Sequence, residues 1–225
     1  MYVLCLISIG LMLLIPLIST ITLRTTYSKC LNKESSNKLT GYDVARKILD
    51  NNELNSLYII ETGGTMTDNY DSNRKTVRLS PDVFHGSSIA AVAIAAHECG
   101  HAIQDKESYS WFRARHSIFP VVSLGERASY FVLIIGLVLG SINLVYLAVA
   151  LMAFGLLFEL VTLPVELDAS KRALAMIDEY GIVTDEDRPY AAKMLKAAAF
   201  TYVAAILTTL AQMLYYISRY SGRRR

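Results

Sequence analysis

Long apolar stretches are the feature that most constrains how this chain can fold. Val3 to Leu23 is a run of about twenty residues without a charge, and roughly 20 apolar residues are enough to cross the hydrocarbon core of a bilayer as a helix. Two further blocks run from Tyr130 to Leu163 and from Ala197 to Ile217. Since hydrophobic residues make up 53% of the chain and charged ones only 19%, the sequence predicts a domain outside the membrane joined to several membrane helices.

The first apolar stretch is predicted to be a membrane anchor within residues 1–25. A cleaved signal peptide is the competing interpretation. No Lys or Arg precedes the stretch, no small-x-small cleavage site ends it, and it is longer than the apolar core of a signal peptide. These three features favour the anchor.

The second and third apolar blocks differ in length. The second has about 34 residues and is interrupted near Gly140, so two short spans forming a hairpin over residues 129–164 fit better than one long helix. The third block opens a segment, residues 197–225, that is either a further span or a helix packed against the others, because it contains Thr, Tyr and Gln212. The chain is therefore predicted to have three or four membrane helices.

Residues 26–128 have the composition of a domain outside the membrane. Thr40 is predicted to cap a helix that ends near Asn52. Leu57 to Leu79 is rich in strand-forming residues divided by Gly63-Gly64 and by an Asp-Ser-Asn turn, which indicates two or three short strands. Ser87 or Ser88 is predicted to cap an alanine-rich helix from Ile89 to about Gln104. The expected fold class is α+β, mostly helical, with a small sheet.

The alanine-rich helix contains the sequence His97-Glu98-Cys99-Gly100-His101. Residues four apart lie one turn apart on the same helix face, so both imidazoles can reach one metal ion while Glu98 faces a water bound to it. Zinc lowers the pKa of such a water towards about 7, and a nearby carboxylate can then take its proton. The spacing predicts a zinc site with Glu98 as catalytic base for peptide hydrolysis.

Catalytic zinc usually has three protein ligands, so a third donor is required. The candidate is Glu166, two residues after Pro164, where a new helix is predicted to begin. Asp168 could orient a ligand histidine. The alternative interpretation is that Glu166 and Asp168 simply occupy a helix's first turn, which favours acids. Glu159, an ionisable residue inside the second apolar block, is a second candidate for the third ligand.

Several other residues fit ordinary structural roles better than ligand roles. His85 and His116 are predicted to be surface or capping residues, although His85 lies close enough to the alanine-rich helix to contact a substrate. The three cysteines form no CxxC pair, which weakly favours a reducing compartment. A net charge of +2 with scattered Lys and Arg argues against nucleic acid as a partner.

Several separated blocks together resemble the bacterial neutral zinc metallopeptidases of the YugP type, membrane proteins related in outline to gluzincins. The resemblance covers most of the chain and includes Leu79-Ser80-Pro81, Ser88 to Ala91, Ala95 to Gln104, Leu163 to Ser170 and Ala197 to Ala205. It implies a zincin-like domain, zinc bound by His97, His101 and Glu166, and peptidase activity. It also implies that residues 165–196 contain the helix of the third ligand.

The chain departs from that family at two positions. The family often has Asp-His-Tyr-Asp where this chain has Asp68-Asn69-Tyr70-Asp71, so activity would be reduced if that histidine takes part in catalysis. Cys99 stands where an aliphatic residue is common. Because Cys99 points away from the face of the two histidines, we expect a small buried side chain rather than a ligand.

The orientation in the membrane follows partly from the predicted site. The alanine-rich helix and Glu166 must lie on one side of the membrane, and Arg24, Lys29, Lys33 and Lys38 follow the anchor while no basic residue precedes it, which predicts a cytoplasmic catalytic domain. If the last block spans, the tail Arg223 to Arg225 favours the opposite orientation.

The sequence thus predicts a multi-pass cell-membrane zinc metalloendopeptidase. Its expected substrates are peptides or membrane proteins near the bilayer, its expected surroundings are membrane lipids, and the sequence contains no signal for an oligomeric state. The alternative function is a non-catalytic zinc-binding assembly or scaffold protein with a degenerate site. A transporter is a weaker alternative, since only Glu159 offers a charge within an apolar block.

Overall fold

The computed structural model describes residues 2–220, and within this range it is mostly helical with one small sheet. This confirms the predicted fold class, whereas the zincin-like form of the domain stays a prediction. The elements, in chain order, are α1 (Tyr2–Leu31), α2 (Gly41–Asn51), β1 (Tyr58–Glu61), β2 (Asn69–Asp71), β3 (Thr76–Leu79), α3 (Pro81–Phe84), α4 (Ile89–Lys106), α5 (Ser110–Val138), α6 (Ile142–Glu179) and α7 (Arg188–Tyr220).

The chain divides into two compact units. The first, which we call the membrane unit, contains the chain up to Ile21, Arg113–Pro164 and the chain from Phe200 onward. The second, which we call the site unit, contains Thr22–Phe112 and Val165–Ala199. The apolar parts of the long helices therefore cluster separately from the sheet and α4.

Four helices, α1, α5, α6 and α7, are long and apolar enough to cross a membrane. Large apolar side chains on these helices are exposed, among them Val3, Leu124 and Val138. An apolar surface of this extent is unfavourable in water and favourable against lipid. The structure thus contains four candidate spans, the higher of the two numbers predicted.

The second apolar block forms the predicted helical hairpin, with its turn at Gly140, whose φ of 63° suits a glycine. The helices pack closely at Gly136, where an added Cβ would lie 3.0 Å from the Leu144 Cβ. The first helix begins at Ser110 rather than near Tyr130. Charged residues between these positions, such as Arg113 and Arg127, concealed that part of the helix in the sequence.

The expectation that a new helix begins after Pro164 is wrong, because α6 runs through this proline to Glu179. A proline inside a helix removes one hydrogen bond, and long membrane helices tolerate this loss when neighbouring groups satisfy the freed carbonyl. Glu166 and Asp168 therefore lie in the interior of a helix. The interpretation that they merely occupy a first helical turn is excluded.

The site unit is built on the sheet order β1-β3-β2, with β1 parallel and β2 antiparallel to β3. The sequence predicted two or three short strands, and the sheet has three. The capping predictions are also confirmed: Thr40 and Asp43 form a capping box on α2, and the Ser88 side chain accepts a hydrogen bond from the Ala91 backbone N–H of α4.

Helix α4 is the most buried helix of the site unit, with fourteen buried residues along its length. Its apolar residues pack with the side chains of α2 and β3, including Ile48 and Val77. Glu98, His101 and Gln104 are also buried in this helix. Because burying a polar group is costly without a partner, these three side chains must be satisfied by neighbours, and their neighbours define the site.

Asp187 joins the segment after α1 to the segment before α7. Its buried carboxylate accepts hydrogen bonds from Lys33 Nζ at 2.7 Å and from the Ser36 backbone N–H and hydroxyl at 2.8 and 2.7 Å. Burial alone would raise the pKa of Asp187, but these hydrogen bonds outweigh it and lower the pKa to about 2. The cluster therefore stabilises the ionised carboxylate.

Candidate metal centre

Three donor side chains converge in the site unit. His97 and His101 lie one turn apart on α4, and Glu166 approaches them from α6; the donor atoms all lie within 4.8 Å of one another. Glu166 Oε2 is 3.2 Å from His97 Nε2 and 3.5 Å from His101 Nε2. The side chains of His97, His101 and Glu166 are only 13%, 9% and 5% exposed.

These separations match those of donors around one metal ion. Two ligands at about 2.0–2.1 Å from a tetrahedral zinc lie about 3.3 Å apart, and the two measured distances of 3.2 and 3.5 Å fall on either side of this value. Two imidazoles and one carboxylate also form a ligand set found in catalytic zinc sites with one position left for water. The residues present therefore fit a zinc ion.

Gly100 determines how closely α4 and α6 can approach at the site. A Cβ added at Gly100 would lie 2.7 Å from the backbone oxygen of Ala169, closer than such atoms pack. Ala169 follows Glu166 by three residues, which is about one helical turn. A glycine between the two histidines thus allows the α6 backbone to reach the distance at which Glu166 meets them.

Glu98 lies beside the two histidines and is buried. The backbone N–H of Tyr70 in β2 donates a hydrogen bond to the Glu98 carboxylate. Burial has the largest effect on the pKa of Glu98 and raises it, and the negative charges of Glu166 and Asp68 raise it further. The charge of His97 and the Tyr70 hydrogen bond lower the pKa, and the net result is a pKa of about 7.

Two side chains, one within β2 and one just before it, hold this short strand in place. The Tyr70 hydroxyl donates to Asp105 on α4 at 2.8 Å, and the Asp68 carboxylate accepts from the Ser80 backbone N–H at 2.7 Å. Asn69, the residue at which the chain departs from the family pattern, is exposed. The strand therefore positions the Tyr70 N–H that contacts Glu98.

A second set of hydrogen bonds surrounds the two histidines. His101 Nδ1 lies 3.0 Å from Gln104 Oε1, and Gln104 Nε2 donates to the Val165 carbonyl and to Asp168 Oδ2, each at 2.8 Å. Asp168 also accepts from Arg172 Nε at 2.6 Å. Asp168 was expected to orient a ligand histidine, and the structure places it on Gln104, which in turn contacts His101.

His97 has a different hydrogen-bond partner from His101. His97 Nδ1 lies 3.3 Å from the hydroxyl of Ser170, on the helix that also contains Glu166. Gln104 and Ser170 were not assigned a role from the sequence. Gln104 could have been recognised from its spacing, because a residue three positions after His101 lies on the same helix face.

The remaining candidate residues lie elsewhere. Glu159 belongs to the membrane unit, where it accepts a hydrogen bond from Thr209 at 3.0 Å. His85 ends α3 and pairs with Glu61 at 2.9 Å, and His116 lies on α5. Cys99 is a free, fully buried thiol whose Sγ lies 3.7 Å from the Ala45 carbonyl, and burial raises its pKa. Cys99 thus has the small buried side chain that was predicted.

Sequence comparisons relate this chain to a family of known proteins. A family profile described as "Putative neutral zinc metallopeptidase" matches residues 4–221. The protein described as "Putative membrane protease YugP" from Bacillus subtilis (strain 168) is 41% identical over 194 residues, which cover 86% of each chain. No solved structure matches the chain.

Proposed function

The chain belongs to the family described as "Putative neutral zinc metallopeptidase", and from this membership we propose that it is a membrane-bound zinc metalloendopeptidase. The observation that supports the proposal most is the convergence of His97, His101 and Glu166 at ligand separations, with a buried glutamate beside them. The family membership supports the class of protein, and the geometry supports the proposed roles of these residues.

His97, His101 and Glu166 would hold the zinc through the two imidazole nitrogens and one carboxylate oxygen that face one another. When bound, zinc supplies Lewis-acid chemistry: it lowers the pKa of a water ligand towards about 7 and polarises the carbonyl of the scissile peptide bond. The nearly complete burial of these side chains limits solvent access and so strengthens electrostatic interactions within the site.

Glu98 would act as general base and then as general acid. A carboxylate with a pKa of about 7 can both accept a proton from water and return it to the departing amine near neutral pH. The Tyr70 backbone N–H contacts this carboxylate. Glu98 therefore has both the fixed position and the proton affinity that the two steps require.

The proposed substrates are peptide segments of membrane proteins close to the bilayer. Along the chain, Glu166 follows Pro164, the last residue of the membrane unit on α6, by two positions, so a metal-binding residue is covalently continuous with a membrane helix. Membrane lipids are the proposed surroundings of the exposed apolar side chains on the four long helices.

The proposed location of the site unit is the cytoplasmic side. Arg24, Lys29 and Lys33 follow the apolar part of α1, and no basic residue precedes it. An excess of basic residues next to membrane helices favours the cytoplasmic side. The tail Arg223 to Arg225, which argued for the opposite orientation, lies outside the residues that the structure describes.

The proposal is tested by zinc analysis and peptidase assays on detergent-purified protein. The wild type should contain zinc and cleave peptides. The Glu98→Gln variant should keep zinc and lose cleavage by about 100-fold or more, whereas Glu166→Ala should lose zinc. Glu159→Gln is the matched control, because this glutamate lies on the same helix and should not affect zinc content.

Two results would contradict the proposal. Zinc retained in the Glu166→Ala variant would remove Glu166 from the site. Zinc bound by the wild type without cleavage across a broad panel of peptides would favour the alternative of a non-catalytic zinc-binding assembly or scaffold protein.

A further inference from the structure

We infer that Gln104 is a positioning residue that fixes the tautomer of His101, so that the Nε2 lone pair of this ring faces the metal position. This inference rests on the proposed function and adds a residue to it. Gln104 is completely buried in the last turn of α4, and each of its polar side-chain atoms has a partner.

The orientation of the Gln104 amide follows from the chemistry of its partners. One end of the amide lies 2.8 Å from both the Val165 carbonyl oxygen and Asp168 Oδ2. A backbone carbonyl cannot donate a hydrogen bond, so the atom at this end must be the amide nitrogen. The opposite orientation would place the amide oxygen against two acceptor oxygens.

The amide orientation in turn determines where the His101 hydrogen lies. The other end of Gln104 is then the amide oxygen, which can only accept, and it lies 3.0 Å from His101 Nδ1. His101 Nδ1 must therefore carry the ring hydrogen. In the neutral imidazole this leaves the lone pair on Nε2, the nitrogen 3.5 Å from Glu166 Oε2.

Among the residues that the structure describes, His97 has no partner that fixes its tautomer in this way. Its partner, the Ser170 hydroxyl at 3.3 Å from His97 Nδ1, can either donate or accept a hydrogen bond. Ser170 is therefore compatible with both tautomers of His97. Gln104 selects one tautomer of His101, because the hydrogen bonds of Gln104 Nε2 to Val165 and Asp168 fix the orientation of the amide.

Asp168, which accepts from the Gln104 amide nitrogen, is itself held by an ion pair with Arg172. Arg172 donates to Asp168 at 2.6 Å through Nε and to Glu107 at 2.7 Å through a terminal nitrogen. Asp168 Oδ2, the oxygen that faces Gln104, therefore also accepts a hydrogen bond from the Arg172 guanidinium. Asp168 thus acts on His101 through Gln104 by requiring the amide nitrogen to face it.

The test uses full-length protein in detergent and four variants. Gln104→Met removes the amide and keeps the side-chain length, whereas Gln104→Glu places a carboxylate against Asp168 and the Val165 carbonyl. Combining Gln104→Glu with Asp168→Asn restores a donor opposite the introduced carboxylate. Gln212→Met is the matched control, since Gln212 on α7 is the other glutamine of the chain.

The first measurement is the zinc dissociation constant, obtained by competition with a chelator. Loss of a group that orients a metal-binding histidine typically weakens metal binding about 10- to 100-fold. We expect this loss in Gln104→Met, a larger loss in Gln104→Glu, partial recovery in the double variant and no change in Gln212→Met. If Asp168→Asn restores zinc affinity to the Gln104→Glu variant, the loss in that variant comes from mismatched hydrogen-bond donors and acceptors and not from a packing defect.

The second measurement reads the tautomer without zinc. The chain has four histidines, so nitrogen NMR of histidine-labelled, zinc-free protein is simple enough to assign with a His101→Gln reference. In the wild type and Gln212→Met, His101 should carry its hydrogen on Nδ1. In Gln104→Met the ring should show a mixture of tautomers.

Unchanged zinc affinity in Gln104→Met, or His101 with its hydrogen on Nε2 in the wild type, would overturn the inference while leaving the zinc site intact. Equal zinc affinities of Gln104→Glu and the double variant would overturn the argument from hydrogen-bond polarity. A wild type that binds no zinc would overturn the proposed function itself, and the inference with it.

Discussion

Replacing Gly100 by alanine tests how the structure brings Glu166 to the histidines. The new Cβ would lie 2.7 Å from the Ala169 oxygen, whereas ordinary contacts begin at 3.4 Å. The backbones of α4 and α6 must therefore separate by about 0.7 Å, because neither atom belongs to a flexible side chain. The displacement acts one turn from Glu166, on donor distances that match a tetrahedral site.

The expected change in the free energy of unfolding of Gly100→Ala follows from two opposing effects. Overpacking of a well-packed interior costs about 1–3 kcal/mol, and replacing a helical glycine by alanine gains about 1 kcal/mol from helix propensity. We expect a net loss of about 0–2 kcal/mol in the free energy of unfolding. Zinc affinity should fall by about 10-fold or more, since one ligand is moved relative to the other two.

The assay combines thermal unfolding of the zinc-free protein with chelator competition for zinc. Gly10→Ala is the matched control, because Gly10 is also in a helix and nothing lies within 4 Å of an added Cβ. It should leave zinc affinity unchanged. If Gly100→Ala bound zinc as tightly as the wild type and were no less stable, the close backbone approach would not be what positions Glu166.

Three further predictions concern other parts of the site unit. The pKa of Asp187 is about 2 in the folded protein, below its ordinary value of 3.8. A depressed pKa stabilises the fold above the ordinary pKa, and this contribution is lost as pH falls through the folded pKa. Melting temperatures should therefore fall between about pH 4 and pH 2 in the wild type and change less in Asp187→Asn; equal pH profiles would refute the role of this carboxylate. Tyr70→Phe removes the hydrogen bond to Asp105 and should cost about 1 kcal/mol of unfolding free energy by chemical denaturation, whereas no change would mean that this bond does not hold β2. Cys99→Ser should leave zinc stoichiometry unchanged by elemental analysis, and a loss of zinc with retained folding would show that the thiol is a ligand.

The local sequence patterns predicted the elements that depend on local interactions. The capping residues Thr40 and Ser88 begin helices as expected, and the histidine spacing on α4 brings His97 and His101 to one face. These features depend on residues within one or two turns of each other, which is the range over which sequence patterns are informative.

The features that the sequence left open depend on tertiary packing. Pro164 suggested a helix boundary, yet α6 continues through it, because packing of a long apolar helix outweighs the loss of one hydrogen bond. The start of α5 at Ser110 was hidden by charged residues. Gln104 could be placed on the helix face of His101 by spacing, but its partners Val165 and Asp168 come from another helix.

We propose that His97, His101 and Glu166 hold zinc with one position open for water. X-ray absorption spectroscopy at the zinc edge tests it most directly on the purified protein. We predict a shell of nitrogen and oxygen donors at about 2.0–2.2 Å, scattering from two imidazoles, and loss of one oxygen donor or of the metal in Glu166→Ala. A sulfur donor at about 2.3 Å, or a closed set of four protein ligands, would contradict the claim.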